Sequence, residues 1–176
     1  MLIPLLVRRT LGAGAQALGL VLATSGLGGA IASLAVGWFG APERRVSAMW
    51  AAWGLSGACV VGLALAANVV VAGLVALAVF GLLMYGNVLW GPLVQSTVPR
   101  NLLGRVSSLD YLFSLGLSPV GVLLAGVLAT AIGIRTTILV GGVVAALSAC
   151  VVVLPGMRDP ERHWRGRTRS EVTEGS

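Results

Sequence analysis

The chain has 176 residues, 57% of them hydrophobic and only 10% charged, with a mean hydropathy of +0.95. A water-soluble domain carries about a quarter of its residues as charge, so this composition excludes a fully solvated surface and makes the lipid bilayer the natural partner. The net charge of +6 rests on 12 arginines against six acidic residues. They sit in short gaps between apolar runs and in the tail beyond Pro155, not in a patch or stripe, which argues against nucleic acid as a partner.

The first seven residues, Met1 to Val7, are apolar and end at Arg8-Arg9. A secretory signal would carry its positive charge before the apolar region, and seven residues cannot span a hydrocarbon core that needs about 20. The segment reads as the last turns of a helix whose beginning is absent. Five long apolar stretches follow, at residues 15–39, 47–67, 69–98, 109–134 and 136–154. Each is of membrane-spanning length as a helix, and the 25 glycines suit membrane helices. The joints are short, which predicts an antiparallel serpentine: an all-α, polytopic transmembrane bundle of five spans and an N-terminal stub over 1–155. No strand-like alternation in runs of about ten suggests a β-barrel. Residues 156–176 are polar and read as a disordered cytoplasmic tail.

Five spans place the joints alternately on two sides. Arg44, Arg45, Arg100, Arg105 and the tail arginines 158, 162, 165, 167 and 169 share one side, and Arg8, Arg9 and Arg135 share the other. Nine against three makes the first side cytoplasmic, which predicts a multi-pass protein of the cell membrane with its C-terminus in the cytoplasm.

Local motifs then carry a resemblance. Ile3-Pro4-Leu5-Leu6, Gly19, the run Gly26-Leu27-Gly28-Gly29, and Val98-Pro99-Arg100-Asn101-Leu102-Leu103-Gly104-Arg105-Val106 are followed by Ser118-Pro119-Val120-Gly121 and Leu124-Ala125-Gly126. In order and spacing these resemble the C-terminal half of major facilitator superfamily transporters, most of all the drug- and siderophore-exporter branch that includes macrolide-efflux proteins and enterobactin exporters. The resemblance implies that the stub ends helix 7 and that the five spans are helices 8 to 12. It also implies an ion-gradient-driven efflux function with small amphipathic substrates. The family's loop motif, roughly G-x-x-x-D-R-x-G-R-R, is degraded here: Ala41 and Pro42 stand where Asp and Arg belong, and Arg45 alone keeps its place.

Several residues are candidates for the transport path. Asn87, Trp90 and Gln95 lie on the third span. Two amides in an apolar run need partners or water, and Trp90 offers a stacking surface for a flat or cationic compound; interhelical hydrogen bonding and ordinary packing are the plainer alternative. Asp110, at the start of the fourth span, is a candidate ion-coupling carboxylate, or an interfacial acid favoured by its helix dipole. Glu43, Arg44, Arg45, Arg100 and Arg105 form a candidate cytoplasmic gate, with a Glu43–Arg105 contact closing it, or serve only as topology-setting charges. Gly29, Ser33 and Gly37 on the first span, and Gly121 and Ala125 on the fourth, predict close helix packing. Pro92 predicts a kink.

Chemistry is otherwise sparse. Cys59 and Cys150 lie in apolar runs without CxxC spacing, and His163 is in the tail. With no nucleophile–base pair, no metal-ligand cluster and no lysine for a phosphate-binding loop, the chain reads as a non-enzyme without metal or cofactor. One half-bundle supplies one wall of a substrate path, so a small-molecule substrate calls for a separately encoded first half or a second copy. The alternative is a truncated, non-transporting membrane protein or an interaction partner.

Overall fold

The computed structural model describes residues 3–7, 14–99 and 101–147. The described residues form helices and no strand: α1 (Ile3–Leu5), α2 (Ala15–Phe39), α3 (Arg45–Ala64), α4 (Val69–Thr97), α5 (Leu103–Gly116), α6 (Ser118–Ala131) and α7 (Ile134–Leu147). Helices α2, α3 and α4, and α5 with α6 taken together, are each long and apolar enough to cross a membrane. At 1.5 Å per residue even the 20 residues of α3 reach about 30 Å, the thickness of a hydrocarbon core.

Local chemistry sets the ends of these helices. Gly40 and Gly133 close α2 and α6 with φ of +78° and +88°, a region that side-chain-bearing residues enter only with strain. Asn68, read as a bare joint, is the N-cap of α4: its Oδ1 accepts from the Val71 N–H at 2.9 Å. Helix α4 runs through Pro92 without a break in its assignment. The fourth apolar stretch, expected as one span over 109–134, instead begins at Leu103 and is divided at Leu117. Pro119 has no N–H to bond back to Leu115, which accounts for the division. The polar residues Arg105, Ser107 and Ser108, which delayed the expected start, are carried as an ordinary first turn and a half. Cys150, His163, Arg100 and the tail lie outside the described residues.

Met49, Ala52 and Leu89 are buried toward one end of the bundle, and the main buried cluster sits at the other. Val21 of α2, Leu63 and Ala64 of α3, Ala72 and Ala76 of α4 and Ile138 of α7 bury one another there, and Leu6 and Val7 close the cluster. The N-terminal stub is thus packed against the joints. Arg135 belongs to this end and donates from Nη2 to the Ala66 carbonyl at 3.4 Å, just past the C-terminus of α3. There its charge also complements the helix dipole.

Glycines let three seams close. A Cβ at Gly28 would run into the Leu77 carbonyl oxygen, and one at Gly81 would meet the Gly28 carbonyl at 3.2 Å, so α2 and α4 touch backbone to backbone. Gly57 and Gly142 do the same between α3 and α7, where a Cβ at Gly142 would stand 2.9 Å from the Val61 nitrogen. Between α3 and α4, Gly86 makes room for Trp53, and Ser56 Oγ donates to the Val79 carbonyl at 3.0 Å. The expected stripes are offset from these contacts. Gly29 meets only the Met84 side chain at 3.7 Å, and Gly37 and Gly121 have nothing within 4 Å. Small residues recur on several faces of these helices, and the partner decides which face becomes a seam.

The rod made by α5 and α6 is different. None of its residues is buried, and its helix contacts run chiefly from α6 to α7. It leaves α3 and α4 open toward the end that carries Arg44, Arg45 and Arg105.

Candidate functional site

Where the seams end, an aromatic group begins. Trp50 and Trp53 lie one turn apart on α3, with ring centroids 5.4 Å apart and planes at 84°. Trp53 faces Trp90 of α4 at 6.5 Å and 50°. Glycine at 86 is what admits Trp53: a Cβ there would stand 2.5 Å from the indole Cδ1 and closer still to Nε1. Trp53 Nε1 is buried with no hydrogen-bond partner among the described residues. Such a donor costs about 1–3 kcal/mol.

Trp90 leads to α5. Its Nε1 donates to Asp110 Oδ2 at 3.2 Å, a side-chain hydrogen bond that joins the rod to α4. Asp110 is half-buried, and no Arg or Lys nitrogen lies within 4.0 Å of its carboxylate among the described residues. Trp90 is seven residues before the end of α4 and Asp110 seven after the start of α5. Both therefore lie about 10 Å inside their helix ends. Trp38 and Phe39 stand exposed at the same end of α2, and Tyr111 is exposed beside Asp110. Trp38 and Phe39, at the very end of α2, suit a membrane–water interface, where amphipathic rings settle.

Asn87 and Gln95 are both exposed, and neither has a hydrogen-bond partner among the described residues. Helical geometry sets them about 80° apart around α4, with Trp90 on the flank. Neither amide makes an interhelical hydrogen bond among the described residues. The structure brings Trp90 and Asp110 together and leaves the two amides on the adjoining open face.

Of the gate residues, Arg100 lies outside the described residues. Glu43, Arg44 and Arg105 are exposed and Arg45 half-buried, and no ion pair within 4.0 Å joins Glu43 to Arg105. Exposed partners on flexible stems gain little from pairing, about 0–1 kcal/mol. Sequence reasoning missed Trp50, Trp53 and Gly86. The signal was available in the pair of tryptophans three apart on α3, but only the fold shows that they meet Trp90.

No His, Cys, Asp or Glu cluster among the described residues could hold a metal ion. No curated protein and no solved structure gives a significant match to this chain. The sequence model of the Major Facilitator Superfamily, in contrast, matches residues 1–174, nearly the whole chain. With its apolar helices of membrane-spanning length, the chain belongs to the Major Facilitator Superfamily, and its function is membrane transport.

Proposed function

We propose that this chain is the C-terminal half-bundle of an ion-gradient-driven exporter of small amphipathic compounds, of the drug- and siderophore-exporting kind, in a cell membrane with its C-terminus in the cytoplasm. The observation that carries this reading is the open face of α4. Asn87, ten residues before the end of α4, is an exposed amide with no hydrogen-bond partner among the described residues, and Gln95 is a second one two residues before that end. An amide facing lipid at the depth of Asn87 would cost several kcal/mol, so the face adjoins a water-filled path or a second bundle. A path between two bundles is the arrangement in which such transporters bind substrate. Trp90 supplies a stacking surface on that face, and Asp110 is the carboxylate through which an ion gradient acts. Glu43, Arg44, Arg45, Arg100 and Arg105 hold the cytoplasmic side, and substrate passes only when a first half or a second copy completes the path.

The test has two stages. Single cysteines at Ala41, Asn68 and Asn101, with Cys59 and Cys150 replaced, are expected to label from inside, outside and inside respectively. Co-expression with a first half is then expected to lower cellular accumulation of a fluorescent amphipathic dye, an effect abolished by collapsing the proton gradient. Asn87→Leu with Gln95→Leu is expected to reduce that efflux at unchanged expression. Labelling of every site from both sides, or efflux indifferent to the paired amide substitution, would sink the reading.

A further inference from the structure

We infer that Ser107 and Ser114 of α5 line the transport path, as a hydrated polar edge that faces Asn87 of α4. The inference rests on the path proposed above and gives it a second wall. Leu103, Ser107 and Asp110 are half-buried, and every other residue of α5 is exposed. Their spacing is that of one helix face. It marks the side that α5 turns toward the bundle, where Asp110 accepts from Trp90. Ser114 is the next position on the same face. Away from it, Leu109, Leu112 and Phe113 stand exposed. From Ser107 onward the inward side of α5 is polar and the outward side apolar, the reverse of a helix packed on a dry core.

The hydroxyls show what fills the inward side. A serine in a dry membrane helix satisfies its hydroxyl on a carbonyl three or four residues back. Ser25, Ser33 and Ser108 do so at 2.7, 2.9 and 2.8 Å. Ser108 adjoins Ser107 in the same turn, yet neither Ser107 nor Ser114 makes a side-chain hydrogen bond among the described residues. Trp90 lies seven residues before the end of α4 and meets Asp110 seven after the start of α5, so the two helices run antiparallel through this contact. Asn87 stands about one turn back from Trp90, and Ser114 about one turn on from Asp110. The amide and the hydroxyl are therefore level, and both groups donate and accept. Two such groups facing across a groove are bridged by water, and by the hydrogen-bonding groups of a cargo that displaces it.

The test compares two serines with two leucines on the same helix. Ser107→Cys, Leu109→Cys, Leu112→Cys and Ser114→Cys are made singly in the full chain, with Cys59 and Cys150 replaced, and placed in lipid nanodiscs. A charged methanethiosulfonate that reacts in water and not in hydrocarbon is added, and the rate of thiol loss is followed. Ser107 and Leu109 are two residues apart, as are Leu112 and Ser114, which sets each pair about 160° apart around α5 and about 3 Å apart in depth. Ser107 is nearer the start of the helix than its leucine and Ser114 farther from it, so a gradient of depth cannot favour both serines. Each serine position is expected to react at least tenfold faster than its leucine. Leucine positions reacting within twofold of the serine positions, or serine positions that do not react, would overturn the inference.

Asn87→Trp fills the groove from the α4 side. It should slow Ser114→Cys at least fivefold and leave Ser107→Cys, about 10 Å along the helix, within twofold. Equal slowing of both, or of neither, refutes the facing of Asn87 and Ser114. If Asn87→Trp loses helix content by circular dichroism, the four cysteine rates decide. Reactivity is read without flux, so the two readings fail separately. Reactive serine positions in a chain that supports no efflux refute transport, and efflux with unreactive serine positions refutes this edge.

Discussion

Gly26 and Gly28 are two residues apart on α2, yet alanine at the two positions should change stability in opposite directions. Gly26 is exposed, and a Cβ there meets nothing within 4 Å. The substitution then acts only through helix propensity, a gain of about 0.5–1 kcal/mol. At Gly28 the same methyl would stand 2.9 Å from the Leu77 carbonyl carbon and 3.1 Å from its Cα, and closer still to its oxygen. Ordinary contact begins near 3.4 Å, and the obstacle is helix backbone, which cannot swing aside as a side chain does. Helices α2 and α4 must part by on the order of an ångström, and they share the most extensive contact in the bundle. Overpacking of this kind costs about 1–3 kcal/mol. Net of the propensity gain, Gly28→Ala is expected to destabilise by about 1–2 kcal/mol. Reversible unfolding in mixed micelles, followed by far-ultraviolet circular dichroism, measures both variants against wild type. If the two shift stability equally, or Gly28→Ala stabilises, the backbone seam between α2 and α4 is wrong.

Other outcomes follow from the same contacts. Ser56→Ala removes the hydroxyl that donates to the Val79 carbonyl. It should cost about 0.5–1.5 kcal/mol in the same unfolding assay, since such bonds in membrane bundles are of modest worth. Gly86→Ala displaces the Trp53 indole from its notch, so tryptophan emission and near-ultraviolet dichroism should change while helix content stays constant. Trp90→Phe removes the N–H that holds Asp110. Amide exchange should then quicken in α5 and not in α2, whose core contacts are untouched.

The helices were legible because lipid imposes a simple rule: every span must be long, apolar and internally hydrogen-bonded. Hydropathy therefore located α2 and α4 closely. It could not locate the start of α5, because Arg105, Ser107 and Ser108 are compatible with helix though not with hydrocarbon. The division at Leu117 was written in Pro119, which has no N–H to bond back to Leu115, although Pro92 lies inside α4 without dividing it. Helix pairing was much less legible. Gly29, Ser33 and Gly37 have the right spacing for a seam, but Gly28, Gly57, Gly81 and Gly142 make it. A small residue permits close approach on its own face and says nothing about which helix arrives there.

For the candidate site the limit was similar. Asn87, Trp90, Gln95 and Asp110 stood out because polar groups are costly in an apolar run, a property of single residues. That Trp90 meets Asp110 across two helices, and that Trp53 reaches Trp90 only because residue 86 lacks a side chain, are properties of pairs. The pairs also separate the two ends of the molecule. At the end closed by Leu6, Val21, Leu63 and Ile138, several helices share a dry core. At the other end α5 has no buried residue, and among the described residues its side-chain tie to α4 is the 3.2 Å bond from Trp90. Few buried contacts mean a low free energy of local opening. A transporter must open a path at one level while its bundle stays assembled. The exposed α5 is held by few contacts while Met49, Ala52 and Leu89 keep α3 and α4 packed at the same level, a distribution of stability that permits both.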